Sequence, residues 1–234
     1  MGSVFKFKQF EVDQSGCAMK INTDGVLLGV LASHAAAKRI LDIGTGTGVI
    51  ALMLAQRYEQ ARIVAVEIDR SAAEQAALNF KNSRFSERLD AHCADISDYE
   101  SAELYDLILS NPPYFVNDLK SLEPRKGLAR HAHEDFFDSL IRKVASLLHP
   151  EGLFWVILPV KQAEQLITNA VLVRLFPSRI IHVFSDETKA EFRQIVCFSR
   201  HTHTPTHENF FIYASAGVYT DAYVSLLRDF FLAY

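Results

Sequence analysis

Residues 111–114 read Asn-Pro-Pro-Tyr and follow a short strand-like segment, a combination suited to holding a flat amine. The exocyclic amine of adenine carries two N–H donors, and its lone pair is delocalised into the ring. The side-chain oxygen of Asn111 can accept one N–H and the carbonyl of Pro112 the other, so the lone pair is directed at an incoming group. Proline rings hold that carbonyl rigidly, and the ring of Tyr114 offers a surface for a flipped base. The motif predicts metal-free group transfer to a planar amine, and the alternative is a proline-rich turn that merely ends a strand.

A glycine-rich turn is the second motif with chemical potential. It contains Asp42, Gly44, Gly46 and Gly48, ends one predicted strand and opens a predicted helix. Glycines let the backbone turn sharply and approach a ligand closely, and ligands of open α/β sheets bind where strands end. The spacing Gly-x-Gly-x-Gly differs from the Gly-x-Gly-x-x-Gly of dinucleotide enzymes. Taken alone, the motif still leaves a dinucleotide-binding fold or a packing turn without ligand as alternatives.

Two acidic residues follow the next two predicted strands. Glu67 ends the strand after the glycine turn, where its carboxylate can accept hydrogen bonds from both hydroxyls of a ribose. Asp95 follows the third strand and can hold an adenine amino group, with Ile96 packing on the ring. Turn and carboxylates together predict a cofactor that contains a nucleoside.

An alternation of strand-like and helix-like segments positions these motifs. Strands are predicted at 39–43, 62–67, 88–93, 105–110 and 152–158, and helices at 49–57, 71–83 and 136–148. A capping box of Ser71 and Glu74 is expected to open the second of these helices. The rhythm predicts an α/β, Rossmann-like fold with a mainly parallel sheet and helices on both faces.

The two ends of the chain follow a different pattern. Residues 4–12 favour β-structure, and Asn22, Thr23 or Asp24 can cap a short helix that ends near Leu31. Residues 179–184 and 192–199 predict a C-terminal antiparallel hairpin, 208–214 an edge strand, and Thr220 a cap for a last helix. We expect one domain, in which residues 1–38 form an entry segment that packs on the core of residues 39–234.

Composition narrows the class of protein. Apolar residues make up 49% of the 234 residues and charged residues 22%, which is typical of a soluble globular protein, and no apolar run is long enough to span a bilayer. Cys17, Cys93 and Cys197 lie far apart and are odd in number, which disfavours a disulfide framework and a cysteine zinc site. We therefore expect a cytoplasmic protein without membrane or metal partners. The histidines at 201, 203 and 207 are interpreted as part of a solvated connection.

Together these motifs resemble class I S-adenosylmethionine-dependent methyltransferases over about residues 39–158. The resemblance implies a seven-stranded sheet and S-adenosylmethionine as cofactor. It also implies that Asp42 orients the turn and the cofactor's amino group, while Gly44 and Gly46 approach its amino-acid portion. In the same comparison Glu67 binds the ribose and Asp95 the adenine. The remaining residues expected to line this cofactor site are Gly48, Ile96 and Asn111.

The Asn-Pro-Pro-Tyr motif is shared by nucleic-acid adenine methylases, DNA cytosine-amine methylases and enzymes that methylate a glutamine amide of release factors. The DNA enzymes usually carry a sizeable target-recognition region, for which this chain has no room. The glutamine enzymes usually carry a helical N-terminal domain, whereas 38 residues precede the first core strand here. A release-factor methyltransferase and a non-catalytic methylase-like subunit stay open as alternatives, although intact motifs argue against the latter.

Three further stretches, residues 5–29, 111–114 and 219–223, resemble the family of tRNA adenine-N6 methyltransferases that modify the adenine 3′ of the anticodon in a valine tRNA. The resemblance implies a tRNA partner, and it places Thr23 and Asp24 near the methionine end of the cofactor. We expect a monomer.

A net charge of -4 does not indicate a nucleic-acid binder, so basic residues must gather on one face if RNA is the partner. The segment after Tyr114 and the entry segment carry candidates for phosphate contacts, namely Lys120, Arg125, Lys126, Arg130, Lys6, Lys8 and Lys20. Interleaved acidic residues leave a solvated charged loop as the alternative.

Overall fold

The computed structural model describes residues 4–15, 17, 20–113, 126–202 and 204–234, with backbone alone for 126–135. In this part of the chain, no helix is both long and apolar enough to cross a membrane. The element order is that of an α/β fold, and its secondary structure falls into three stretches: an entry segment, a central βα alternation and a C-terminal extension.

The entry segment begins with an antiparallel hairpin of β1 (Val4–Lys6) and β2 (Glu11–Asp13). Phe7, Phe10 and Val12 are buried in the main hydrophobic core, so the hairpin is integral to it. Helix α1 (Thr23–Leu31) follows, and its N-cap is Asn22, one of the three predicted candidates. The side chain of Asn22 accepts a hydrogen bond from the Gly25 amide at 2.9 Å, which satisfies one of the free N–H groups of the first turn.

The central stretch alternates strands and helices. Its elements are β3 (Arg39–Ile43), α2 (Val49–Arg57), β4 (Arg62–Glu67), α3 (Arg70–Asn82), β5 (Leu89–Cys93), β6 (Tyr105–Ser110), α4 (Lys126–Leu147) and β7 (Leu148–Leu158). The predicted capping box is wrong. Asp69 caps α3 instead, because its carboxylate accepts from the Ala72 amide at 2.8 Å, and Ser71 lies inside the helix.

Helix α4 begins ten residues before the predicted start at 136, so residues 126–135, interpreted from sequence as part of a loop, are helical. Strand β7 also begins earlier than predicted. A register shift against β6 between Tyr105 and Leu107 absorbs its first residues, which allows Pro150 to lie in a strand.

The C-terminal stretch contains α5 (Val160–Ala170), β8 (Phe176–Phe184), β9 (Arg193–Ser199), β10 (Thr206–Phe211), β11 (Tyr213–Ser215), β12 (Val218–Tyr219) and α6 (Asp221–Leu227). The predicted antiparallel hairpin is present as β8 and β9. Thr220 caps α6, as predicted, by accepting from the Tyr223 amide at 3.1 Å. Helix α5 and the small β11–β12 sheet were not predicted.

Eight of the described strands form one large sheet in the order β10-β8-β9-β7-β6-β3-β4-β5, and the β1–β2 and β11–β12 pairs are separate from it. All its neighbours run parallel except those that involve β9, so the predicted mainly parallel sheet is confirmed, with eight strands instead of seven. The eighth strand is β10, which pairs with β8 at the edge and corresponds to the edge strand predicted at 208–214. Two apolar clusters lie on either side of the sheet and bury its central strands on both faces.

Candidate active site

The carboxyl ends of β3 and β6 bring the two predicted motifs together. Ile43 pairs with Ser110, the last residues of the two strands, so Gly44 and Asn111 continue from adjacent positions. The buried hydroxyl of Ser110 donates to the Ile43 carbonyl at 3.0 Å and fixes the two strand ends. This edge is where a parallel sheet leaves a crevice for ligands.

The glycine turn has an unusual backbone that explains its composition. Gly44, Gly46 and Gly48 have φ angles of 71°, 57° and 86°, which lie in the left-handed region. A Cβ built on Gly44 or Gly46 would meet no described atom within 4 Å, so the turn faces open space there. A Cβ on Gly48 would clash with the ring of Phe80, so the packing of α3 against the turn requires a glycine at this position.

Glu67 braces the same turn from the end of β4. One carboxylate oxygen accepts from the Gly46 amide at 2.8 Å, and the other accepts from the Asp69 amide at 2.9 Å. Each oxygen keeps a further lone pair for a ligand. The carboxylate that was predicted to bind a ribose therefore lies directly beside the open face of the turn.

Asp42 lies beneath the turn and is fully buried. One oxygen of its carboxyl accepts from the Thr45 hydroxyl at 2.6 Å, while Oδ1 is buried without a hydrogen-bond partner in the described part of the chain. Burial raises the pKa of Asp42 from 3.8 to about 7, against the opposing effects of the Thr45 hydroxyl and the Ala51 backbone amide. A buried acceptor of this kind suits a cationic or N–H donor group of a ligand.

Helix α1 lies against the catalytic motif. A Cβ built on Gly25 would be 3.5 Å from Asn111 Nδ2, so the first turn of α1 approaches the Asn111 side chain closely. The nearly buried carboxylate of Asp24 forms an ion pair with Arg193 at 2.8 Å, at the start of β9. Thr23 is exposed beside it. The structure thus places predicted residues 23 and 24 near Asn111, and it adds Arg193, which the sequence did not indicate.

The predicted adenine contacts follow β5. The Ala94 amide donates to the Glu67 carbonyl at 2.9 Å, so the segment with Asp95 lies close to the ribose carboxylate. Asp95 is exposed and caps the Ser97 amide at 2.8 Å, and Ile96 packs against the second core cluster. Ile68, which the sequence did not indicate, is 67% exposed directly after Glu67, so an apolar side chain borders this strand end.

These residues fit the cofactor that the sequence predicts. The unpartnered oxygen of Asp42 can accept a hydrogen bond from an amino group, and Gly44 and Gly46 leave room for backbone contact. Glu67 can accept from ribose hydroxyls. The donor set is therefore appropriate for a nucleoside that carries an amino-acid chain, such as S-adenosylmethionine.

The predicted RNA-binding residues are distributed over several environments. Lys6 pairs with Glu11 at 3.0 Å, Lys8 donates to the carbonyls of Arg228 and Tyr234 at 2.6 and 2.7 Å, and Lys20 is exposed. Lys8 thereby ties the entry segment to the C-terminal residues. Tyr114, Lys120 and Arg125 lie outside the described residues. Lys126 and Arg130 lie in α4, where only their backbone is described.

Two of the histidines in the C-terminal connection have defined partners. His201 contacts Glu151 at 3.1 Å, and His207 lies in β10, where its ring stacks on His182 and the two imidazoles are joined by a 2.9 Å hydrogen bond. The solvated-loop interpretation is therefore wrong for His207, while His203 lies outside the described residues. Among the residues that the structure describes, no group of three potential ligands is placed to hold a metal ion.

Asn79 is a further residue that the sequence did not indicate. Its carboxamide is buried in α3 and contacts both the entry segment and the glycine turn. Polar residues on the buried face of a predicted amphipathic helix were the available signal.

Comparison with known proteins agrees with this geometry. The model of the methyltransferase small domain family matches residues 22–176. A tRNA1(Val) (adenine(37)-N6)-methyltransferase of Pedobacter heparinus is 55% identical over 234 residues, which is 100% of both chains. A protein of the same name from Bacteroides thetaiotaomicron is 39% identical over 229 residues, 97% of each chain. A solved predicted O-methyltransferase from Agrobacterium tumefaciens matches with a TM-score of 0.68 and 20% identity over 88% of this chain and 96% of its own, which shows the shared fold.

Proposed function

We propose, from the premise that this chain belongs to the tRNA1(Val) (adenine(37)-N6)-methyltransferase family, that it methylates N6 of an adenine in tRNA. S-adenosylmethionine is the cofactor, and when bound it supplies an electrophilic methyl group on a sulfonium. The adenine that follows the anticodon in a valine tRNA is the proposed target, since the full-length relatives carry that specificity in their names.

The adjacency of Asn111 to Gly44 is the observation that carries this proposal. The register of β3 and β6, with the Ser110 hydrogen bond, places the amine-binding motif beside the open glycine turn. A base bound by the motif and a cofactor bound by the turn therefore lie next to each other at one edge of the sheet. Bringing two reactants together in this way removes much of the entropic cost of their encounter.

The chain's own residues orient the adenine. Asn111 accepts one N–H of N6 through its side-chain oxygen, and the Pro112 carbonyl accepts the other. With both N–H groups held, the face of the amine that bears the lone pair is directed toward the turn. The methylated amine loses its extra proton readily, so a strong protein base is not needed. We also propose that Tyr114 stacks on the flipped base.

The cofactor is held by the opposite side of the crevice. Asp42 accepts from its amino group, with Thr23 and Asp24 near the methionine end, and Glu67 accepts from its ribose. Gly44, Gly46 and Gly48 form the turn that approaches its amino-acid portion. Asp95, Ile96 and Ile68 border the adenine.

We propose further that the enzyme acts as a monomer. Because its substrate is tRNA, we also propose that it works in the cytoplasm. Size-exclusion chromatography with light scattering checks the first statement; a dimer mass would contradict it.

The function is tested by methylation with radiolabelled S-adenosylmethionine and three substrates: tRNA from a strain that lacks the gene, ribosomal RNA and a release factor. Label is expected in the tRNA, and nucleoside mass spectrometry is expected to show N6-methyladenosine. Label in the release factor alone would instead identify a protein-glutamine methyltransferase. An absence of label from all three, with the cofactor still bound, would indicate a non-catalytic subunit.

A further inference from the structure

We infer that Asn79 is a positioning residue of the cofactor site, which holds the entry segment at Asp13 and the glycine turn at Thr47 together. The inference rests on the proposed cofactor site. It adds to that site Asn79 and the part of the entry segment at Asp13, neither of which is among the residues proposed to contact the cofactor.

The Asn79 carboxamide is saturated with hydrogen bonds. It lies in α3 with 3% of its surface exposed. Its oxygen accepts from the Asp13 amide at 3.0 Å and from Gln75 Nε2 at 3.3 Å, and its nitrogen donates to the Asp13 carbonyl at 2.9 Å and the Thr47 carbonyl at 2.9 Å. Pairing with both peptide groups of Asp13 continues β2 as a strand neighbour would. The two N–H donors bridge two segments that are far apart in sequence.

An asparagine is specifically suited to this position. An apolar side chain would leave the half-buried Asp13 amide and the buried Thr47 carbonyl without this partner, which is costly. The negative charge of an aspartate would face two carbonyl oxygens, and its side chain would lack the two N–H donors of the carboxamide. The geometry therefore requires an amide, and not merely a side chain of this volume.

The turn needs an external brace at Thr47. Gly46 and Gly48, on either side, adopt left-handed φ angles of 57° and 86°, and glycine loses more conformational entropy on ordering than other residues. Asp42 and Glu67 brace the turn at Thr45 and Gly46. Asn79 braces it at the next residue, and it differs from the other two because it also binds the entry segment.

Beyond Asp13, the entry segment continues toward Cys17. The pKa of the Cys17 thiol is raised by its burial and further by the carboxylates of Asp69, Asp13 and Glu67, so Cys17 lies within electrostatic range of the ribose acceptor. Asp13 also caps the Ser15 amide at 2.9 Å, which fixes the direction of the chain toward Cys17. Releasing Asp13 from Asn79 is therefore expected to loosen the start of this stretch, which Asp13 anchors through its hydrogen bonds.

The test compares Asn79→Ala with Asn82→Ala, a matched control at an exposed position of the same helix. Asn79→Ala is expected to raise the Kd for S-adenosylhomocysteine and the KM for S-adenosylmethionine about tenfold, and Asn82→Ala is expected to leave both unchanged. At saturating cofactor, kcat for tRNA should stay within about twofold, because the residues that hold the adenine are intact. A lower Tm with unchanged Kd and KM would show a purely structural role and overturn the inference.

Two further measurements keep the outcome decisive. If Asn79→Ala does not fold, alkylation of Cys17 in the unmodified protein, followed by peptide mass spectrometry, replaces it. S-adenosylhomocysteine is expected to slow that alkylation, and an equal rate with and without it would overturn the inference. The buried Cys197 reports global unfolding in the same sample. Glu67→Ala distinguishes a failure of this inference from a failure of the proposed cofactor site. If Glu67→Ala weakens cofactor binding and Asn79→Ala does not, the proposed site stands and the inference fails.

Discussion

The buried carboxyl of Asp42 predicts a pH dependence of stability whose sign and size follow from its surroundings. Burial raises its pKa from 3.8 to about 7 in the folded protein. The folded state therefore holds the proton more tightly than the unfolded state. This contribution to stability is fully present below about pH 4 and is lost as the pH rises through about 7. The free energy of unfolding should fall by about 2–3 kcal/mol between about pH 5 and pH 8 from this group alone.

Asp42→Asn isolates the effect, because asparagine stays neutral and still offers an oxygen to the Thr45 hydroxyl. Urea unfolding of both proteins should be measured across that pH range. Subtracting the variant's free energy of unfolding from that of the unmodified protein cancels the contributions of the other titrating groups. That difference should fall by the stated amount as the pH rises. A constant difference would refute the reasoning, since it would mean that Asp42 is already ionised in the folded protein across this range, as it is in the unfolded chain.

The same carboxyl should couple cofactor binding to pH. An amino group held at Asp42 favours the ionised carboxylate, so binding should release a proton below about pH 7. Affinity for S-adenosylhomocysteine should then increase up to about tenfold per pH unit as the pH rises toward 7, and Asp42→Asn should flatten the dependence. Calorimetry in buffers of different ionisation enthalpy measures the released proton directly.

Three further predictions concern other parts of the site. Glu67→Ala should weaken cofactor binding by about 1–3 kcal/mol and also lower stability, because the Gly46 and Asp69 amides lose their acceptor; unchanged calorimetric affinity in a folded variant would mean that the ribose binds elsewhere. Arg193→Met should destabilise the protein by about 2–4 kcal/mol in urea unfolding, and adding Asp24→Asn should restore part of the loss; additive effects would show that the ion pair is unimportant. Replacing Arg125, Lys126 and Arg130 together with alanine should make the slope of log tRNA affinity against log salt concentration shallower by about 0.7 per lost contact. A slope and an affinity equal to those of the unmodified protein would exclude RNA contact by these three residues.

Strong local signals were sufficient for the centre of the fold. The bounds of β3, α2 and β4 agree with the predicted 39–43, 49–57 and 62–67, because buried runs and glycines mark both ends. The positions of Gly44, Glu67 and Asn111 at one sheet edge also follow from the strand alternation alone, since parallel strands end at the same side.

Tertiary contacts decided the elements that were missed. Helix α5 follows Pro159 and has no capping side chain that would mark its start. The signal for this helix in the sequence is the spacing of the buried residues Ala163, Leu166 and Ala170. The start of α3 depended on a choice between two acceptable caps, Asp69 and Ser71. Contacts between distant residues, such as Asn79 with Asp13 or Asp24 with Arg193, leave no local pattern in the chain.

The central claim is that Asn111 presents the N6 amine of a tRNA adenine to the methyl group. It is tested most directly by single-turnover methylation of unmodified tRNA with Asn111→Ala, using nucleoside mass spectrometry, beside calorimetric cofactor binding. Formation of N6-methyladenosine should slow by about 100-fold or more, the scale for losing a preorganised contact to a reacting group, while cofactor affinity stays within about twofold. An unchanged rate, or a loss that disappears at saturating cofactor, would contradict the account.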